Sequence, residues 1–530
     1  MTRSCWCLAV ARRAFGLMSF CSLLLISGFP IQPAAAAESV AVIAIDADPG
    51  HFNPAITTGS HVHAVADSIF NGLVGLDQSL APTPDLATRW QVSADGKTYT
   101  FQLAEARWHD GAPFTSADVK FTFENLLLKL HARTKAGLGG LIESIDAPNP
   151  RTVVFRLKVP HAAFLRRLDV TEAPILPRHL FQSAAEPSNA EANRRPVGTG
   201  PFKLVKYEKE AVIVLERNKD YFKRGQPGLD RLVFRIIKDQ ATRLLAYEQG
   251  EIDYLPALAG RDVSRVQAKG GSQVLRSPSG PGGGNCIMTV AFNLERDRLN
   301  DLNVRKALAL AVNRGRIVEQ VLFGEGRIAE APISSAIAWA HGAGSLAAYP
   351  FDPDRANALL DGARLSRGEG GVRFKLEIVH FPTFNKYAEL MQQDLAKVGI
   401  QLISRPLDRE ATVETIFKKR DFDMGLISYC NGVDPEIGVR RMYISNNIGA
   451  IPFSNASAYR NDAIDRLFER AGTETREAER GSLYKEAQVI LAAELPYWWL
   501  VETTITTAHR DGLTGFKPWS GQFAEEARRK

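Results

Sequence analysis

SPSGPGGGN, Ser277 to Asn285, is the segment on which the architecture turns. Glycine and proline at this density oppose both helix and sheet, so the chain changes lobe here. The run has glycines but neither the lysine nor the spacing of a phosphate-binding loop, and its expected job is a hinge or linker. Before it, VSADGKTYTFQL alternates Tyr99, Phe101 and Leu103 with Thr100 and Gln102, which predicts a hairpin with one buried face around Asp95-Gly96. Thr115 with Asp118 three residues on is a capping box that opens a helix carrying Phe121 and Leu126 to Leu128. Strands are expected at Thr152 to Leu157 and, after the turn-rich PVGTGPFKL (Pro196 to Leu204), at Val212 to Glu216 and Leu232 to Ile237.

Beyond the break, Val304, Ala307, Leu308, Ala311 and Val312 follow helical spacing. Asp352-Pro353 supplies an N-cap and a first helical position for Ala356, Leu359 and Leu360. Tyr387, Met391, Leu395 and Val398 form an apolar stripe that stops at Gly399 and passes into alternating Ile400 and Leu402. That is helix, glycine cap, then strand, as in an α/β lobe. Two more helices fit Ile464 to Ala471 and Leu483 to Leu491, and ELPYWWLVE (Glu494 to Glu502) reads as a buried strand returning to the body.

The first residues carry Arg12-Arg13, an apolar run from Ala14 to Phe29 and small residues at Ala34 to Ala37 before Glu38. This is a secretory signal peptide with its cleavage site, too short to anchor in a membrane, so the chain is expected to leave the cytoplasm. The arginine pair leaves both the general and the twin-arginine export routes open. Removing residues 1–37 takes three arginines from the 65 Lys and Arg and none of the 59 acids, so +6 becomes +3. So small a surplus gives no nucleic-acid footprint and no polybasic membrane patch. The 493 residues left after position 37 exceed what a single core usually serves, so two or three lobes are expected.

Chemical signatures are scarce. There is no HExxH, GxSxG, CxxC or GxxxxGK. His61 and His63 with Asp67 are more simply polar residues at a helix start than metal ligands, and no metal or cofactor is expected. Cys286 and Cys430 remain after the signal segment; in an oxidising compartment they read as a disulfide, with two buried thiols as the alternative. A carboxylate pair or a Ser/His/Asp set of a secreted hydrolase is recognised by geometry and is not excluded by sequence.

The order of segments resembles the solute-binding proteins of peptide and nickel ABC importers, the dipeptide- and oligopeptide-binding family. The matching pieces run nearly end to end: HFNPAITTG, IFNGLVGLD, SADGKTYTFQL, WHDGAPFTSADV, PVGTGPFKLVKY, ERNKDYF, YEQGEIDYLP, NVRKALALAVNR, FDPDRANALL and AELPYWWLVE. The resemblance implies an α/β, bilobal periplasmic-binding-protein fold (type II, cluster C) with an extra inserted domain. The implied boundaries are 38–78, 196–284 and 496–530 for the first lobe, 79–195 for the inserted domain and 285–495 for the third lobe. It implies a periplasmic, monomeric, non-enzymatic receptor for a peptide or peptide-like solute, with a membrane permease and an ATPase as partners and nucleic acid as none. Receptors of the same fold for oligosaccharides, opines, haem-like ligands or metal chelates are the alternatives, as is a binder that never delivers cargo.

The resemblance also implies site residues. Oligopeptide-binding members join the crossover strand to the ligand loop by a disulfide, which here pairs Cys286 with Cys430. YCNGVDPE (Tyr429 to Glu436) resembles the third-lobe ligand loop, where an aromatic precedes an aspartate that holds the peptide's ammonium group. That position is Asn431 or Gly432 in this chain, and an amide does not neutralise a cation. Asp434 matches a second aspartate of the pattern, and Asp434 or Glu410 is expected to take over if the ligand has a free amine. Leu426 and Phe417 stand where some members carry carboxylate-binding arginines. Thr58, Gly59 and Ser60 resemble a first-lobe ligand contact, Asn385 follows a third-lobe strand, and Trp498 and Trp499 resemble aromatics that face ligand and core respectively.

Overall fold

The expected hairpin around Asp95-Gly96 forms between strands Ala87–Val92 and Thr98–Leu103, in a computed structural model that describes residues 38–281, 284–449 and 452–530. The expected signal peptide, residues 1–37, lies outside the described residues. Thr152–Leu157 and Ile142–Asn149 complete a four-stranded antiparallel sheet, the inserted domain. The Thr115/Asp118 capping box closes as read, with Asp118 Oδ2 accepting from the Thr115 backbone N–H at 2.9 Å.

The first lobe is built on seven strands in the order Ser272–Ser277, Ile505–Arg510, Tyr254–Leu255, Val40–Ile45, Arg231–Ile236, Val212–Arg217 and Phe202–Glu208. Val40–Ile45 runs parallel to Arg231–Ile236, and it is buried at Ala41 and from Ile43 to Ile45, as a strand covered on both faces requires. One apolar core serves this lobe and the inserted domain together, running from Phe234 and Phe202 through Phe52 to Phe101 and Phe155. Gly198 in PVGTGPFKL is where the two meet: a Cβ there would sit 1.8 Å from the Ile69 carbonyl oxygen, so only hydrogen fits.

The third lobe has six strands in the order Gly326–Ile328, Tyr497–Thr503, Cys286–Phe292, Met424–Cys430, Phe374–His380 and Ile400–Pro406. Phe374–His380 and Ile400–Pro406 are parallel and joined through helix Asn385–Lys397, which ends at Gly399 with φ +83°. Alternation along Cys286–Phe292 sends Met288, Val290 and Phe292 to one core and Ile287 and Ala291 to another, so the sheet is covered on both sides.

Ser277 ends a first-lobe strand and Cys286 begins a third-lobe strand, so the Gly/Pro segment is a crossover between sheets. The return crossover falls later than expected. Tyr497–Thr503 pairs with Cys286–Phe292 inside the third-lobe sheet, and the chain changes sheet at Thr504, so the third lobe runs through Thr503 and does not stop at 495. A strand hydrophobic on both faces fits either sheet, which is why its sequence does not reveal its partner.

Candidate functional site

The first-lobe half of the site starts at the turn from Asn53. Asn53 Oδ1 accepts from the Ala55 N–H at 2.9 Å, Thr57 Oγ1 accepts from the Gly59 N–H at 3.0 Å, and Gly59 caps helix Ser60–Ala66. Thr58 and Ser60 are thereby presented at the mouth of a cavity of about 280 Å³. Its wall takes Arg133 and Thr171 from the inserted domain, Pro281 from the Gly/Pro crossover and Ile505 from the strand that follows the return crossover. His63 and Asp67 stand behind the turn. The His63 ring lies 2.8 Å from Asp67 Oδ1 and 3.2 Å from the Thr57 carbonyl, two acceptors that a doubly protonated imidazole satisfies together. Burial alone would lower the His63 pKa, but the Asp67 carboxylate reverses that and raises it. His61 is exposed, and among the described residues no cluster of three or more His, Cys, Asp or Glu is placed to hold a metal.

On the third lobe, Cys286 and Cys430 are bonded, joining directly opposed positions of neighbouring strands across 144 residues of chain. The loop that follows turns through Gly432 at φ +70° and is held from within. Tyr429, 1 % exposed, donates its hydroxyl to the Ser454 carbonyl, and Asn431 Oδ1 accepts from the Ser334 N–H at 2.5 Å. Asp434 caps the short helix Pro435–Gly438 through the Glu436 N–H. Its oxygens also receive Arg480 at 2.7 and 3.0 Å and Arg166 at 3.5 Å. Burial would raise this carboxyl, but Arg480 and then Arg166 outweigh it and hold it below the usual carboxylate range. Asp434 is therefore neutralised inside the protein.

Arg166 comes from the inserted domain, so the same contact ties that domain to the third lobe. Its other bonds run to Glu477 Oε2 at 2.6 Å and to the Leu80 carbonyl at 3.1 Å, and both Arg166 and Arg480 lie over the Trp339 ring. Next to it Arg167 is 8 % exposed and interacts electrostatically with Glu172, Glu436 and Asp434. Several shielded atoms along this junction have no hydrogen-bond partner within the protein: Arg167 Nε, Glu172 Oε2, Asp169 Oδ1, Glu436 Oε2 and His161 Nε2. Polar groups in that condition are where water or ligand atoms bind. Burial pushes the carboxyls of Asp169 and Glu436 up to about 7, with Glu172 adding to the first and Arg440 opposing the second.

The remaining expected residues do not join this set. Asn385 is exposed at the start of helix Asn385–Lys397, and Glu410 is exposed on helix Arg409–Val413. Leu426 and Phe417 are buried in the two third-lobe cores. Trp498 and Trp499 are both buried on opposite faces of their sheet, Trp499 donating its indole N–H to the Tyr443 hydroxyl at 2.9 Å. Sequence reading passed over Arg166, Arg167 and Arg480. A signal for Asp434 existed: Asp-Pro is the same cap-and-first-position pair that was read at Asp352-Pro353, and it marks a helix start.

Comparison with known proteins agrees with this architecture. The family model described as bacterial extracellular solute-binding proteins, family 5 Middle, matches residues 81–450. A protein of Brucella ovis named for ABC-transporter peptide binding is 31% identical over 511 residues, covering 92% of each chain. A dipeptide-binding protein of Pseudomonas aeruginosa is 29% identical over 96% of this chain and 97% of its own. Among solved structures, the periplasmic binding protein DppA of Helicobacter pylori in complex with the peptide STSA superimposes with a TM-score of 0.74 at 25% identity, covering 93% of this chain and 98% of that one. With two lobes joined by two crossovers, an inserted domain and a family match over most of its length, the chain belongs to the bacterial extracellular solute-binding proteins of family 5.

Proposed function

We propose that this chain is the receptor subunit of an ABC importer, a periplasmic monomer that captures a peptide or peptide-like solute between its lobes and delivers it to a membrane permease energised by a separate ATPase. One observation carries the reading: the cavity that Thr58 and Ser60 open onto is also walled by Pro281, inside the Gly/Pro crossover, and by Ile505, the first strand residue beyond the return crossover. A solute held there touches the first lobe, the inserted domain and the chain at both crossovers, next to where the third lobe is joined. It therefore stabilises the closed arrangement by its differential affinity for it, and no bond is made or broken. The peptide class is supported by relatives named for peptide and dipeptide binding and by the neighbour solved with a bound peptide.

The third-lobe loop favours a second reading, a solute without a free terminal ammonium. Asn431 is bonded to Ser334, Asp434 is consumed by Arg480 and Arg166, and Glu410 stands exposed on a separate helix. None of the three lines the first-lobe cavity. Calorimetry of the oxidised chain starting at Glu38 tests both readings with free di- and tripeptides, their N-acetylated forms, oligosaccharides and metal chelates. Saturable binding of free peptides supports the first reading. Binding of acetylated peptides or sugars alone supports the second, and release of product from any of them would make the protein a hydrolase and end both.

A further inference from the structure

Away from the crossovers, a cavity of about 520 Å³ opens in the third lobe between the start of helix Arg314–Gln320, the edge strand Gly326–Ile328, residues 343–351 and strand Tyr497–Thr503. Every residue on its wall belongs to the third lobe. Most of the wall is apolar, including Leu346, Ala348 and Phe351, and its side-chain donors include the half-buried Arg314 and the buried Trp498. Arg314 stands over the Trp498 indole, 5.7 Å from the ring centroid, and donates through Nη1 to the Ala329 and Trp499 carbonyls at 2.6 and 2.9 Å. No carboxylate pairs with it among the described residues. Burial lowers its pKa to about 10, and the charge of Glu330 opposes that shift. Trp498 is 2 % exposed, and its indole N–H has no acceptor.

An unpaired guanidinium and an unanswered N–H on one apolar wall are costly to bury unless an acceptor is supplied. The acceptor they fit together is planar and singly charged. Carboxylate matches the guanidinium fork. Glu330, exposed at the rim and the one acid on the wall, opposes polyanions such as phosphate. We propose that this cavity is a second, lobe-internal binding site for a small monocarboxylate with an apolar body, whose carboxylate is held by Arg314 and the Trp498 indole N–H. Because its wall comes from one lobe, filling it does not by itself close the hinge. The site is thus separate from the inter-lobe capture proposed above.

The test is a titration of the oxidised chain from Glu38, labelled with ¹⁵N-tryptophan, using phenylpropionate and its uncharged amide. The Trp498 indole resonance, assigned by its loss in Trp498→Phe, shifts saturably with the acid and not with the amide. Calorimetry gives binding weakened about fivefold by Trp498→Phe, which removes one hydrogen bond and keeps the ring. Ala348→Phe, at an exposed position of the wall, abolishes the shift without moving Tm. Equal shifts from acid and amide, no saturation at millimolar acid, or a shift that survives Ala348→Phe each overturn the proposal. Peptide binding that persists in Ala348→Phe keeps the two sites separate, and its loss there merges them and removes the second site. An absence of peptide binding in every form, with the carboxylate shift intact, overturns the capture reading alone.

Discussion

Replacing Asp434 by asparagine isolates one charge at the junction of inserted domain and third lobe. Asparagine keeps the volume and caps helices as well as aspartate, so the Pro435–Gly438 helix retains its start. What changes is the partner of Arg480, which is 2 % exposed against a fully buried carboxylate, and of Arg166, 8 % exposed. Removing one member of a buried ion pair costs roughly 3–5 kcal/mol because the other charge stays buried. The lower end applies here, since Arg480 keeps the Ala471 carbonyl at 2.9 Å, the Tyr484 hydroxyl at 3.3 Å and its place over Trp339. About 3 kcal/mol corresponds to a Tm lower by about 3 °C in a chain of this size. The pH dependence has a definite sign. The folded-state carboxyl titrates below its unfolded value of 3.8, so its contribution is present above that pH and disappears as pH falls through the folded value. The gap between wild type and Asp434→Asn in circular-dichroism melts is therefore constant from pH 5 to 8 and narrows below about pH 4. Asp434→Leu combined with Arg480→Met recovers most of the loss, as replacement of a whole buried pair does. A variant that melts within a degree of wild type but binds free peptides a hundredfold more weakly would refute this reasoning and make Asp434 the ammonium receptor.

Glu436→Gln has the opposite pH signature: with its carboxyl raised to about 7 from 4.5, the folded state holds its proton longer, and wild-type stability falls as pH rises between those values. The variant gains roughly 3 kcal/mol over wild type at pH 8 and nothing at pH 4, and equal melts at both pH values would discard the assignment. Arg166→Ala removes the contacts to Asp434, Glu477 and Leu80 that tie the inserted domain to the third lobe, so X-ray scattering shows a larger radius of gyration without ligand and affinity drops about fivefold. Unchanged scattering and affinity would mean the closed arrangement does not depend on this residue. Cys286→Ser with Cys430→Ser opens a covalent loop of 144 residues, worth about 5 kcal/mol by chain entropy. Urea titration detects that loss, and a wild type indifferent to reductant contradicts it.

Local patterns were readable because local physics produced them. The Thr115/Asp118 box, the Asp352 cap and the Gly399 stop each depend on neighbours within a few residues, and each stands where its sequence put it. The disulfide and the change of sheet after Ser277 followed from the family resemblance and from Gly/Pro density. The charge network was not readable for the complementary reason. Arg480 lies 46 residues from Asp434 and Arg166 lies 268 away, and an Arg-Arg pair looks like a solvated basic patch until the fold buries it. The same limit applies to the aromatic pair. Period-2 alternation put Trp498 and Trp499 on opposite faces, but which face is wet depends on what covers the sheet, and here both are covered.

The two crossovers differ greatly in length. Residues 278–285 separate Ser277 from Cys286, with Gly280 and Gly284 exchanging backbone hydrogen bonds among them, whereas only Thr504 stands between Thr503 and Ile505. A one-residue crossover leaves less freedom than one of eight residues, so the lobes are expected to turn about the shorter one. The pivot is accordingly predicted to pass close to Thr504, with points on the third lobe travelling in proportion to their distance from it. The disulfide fixes where the longer crossover ends, because Cys286 is clamped to Cys430 and belongs to the third-lobe sheet from there on. Insertions among the glycines after Ser279 would leave that pivot in place. A single residue added beside Thr504 would shift the pivot itself and misalign the lobes on closing.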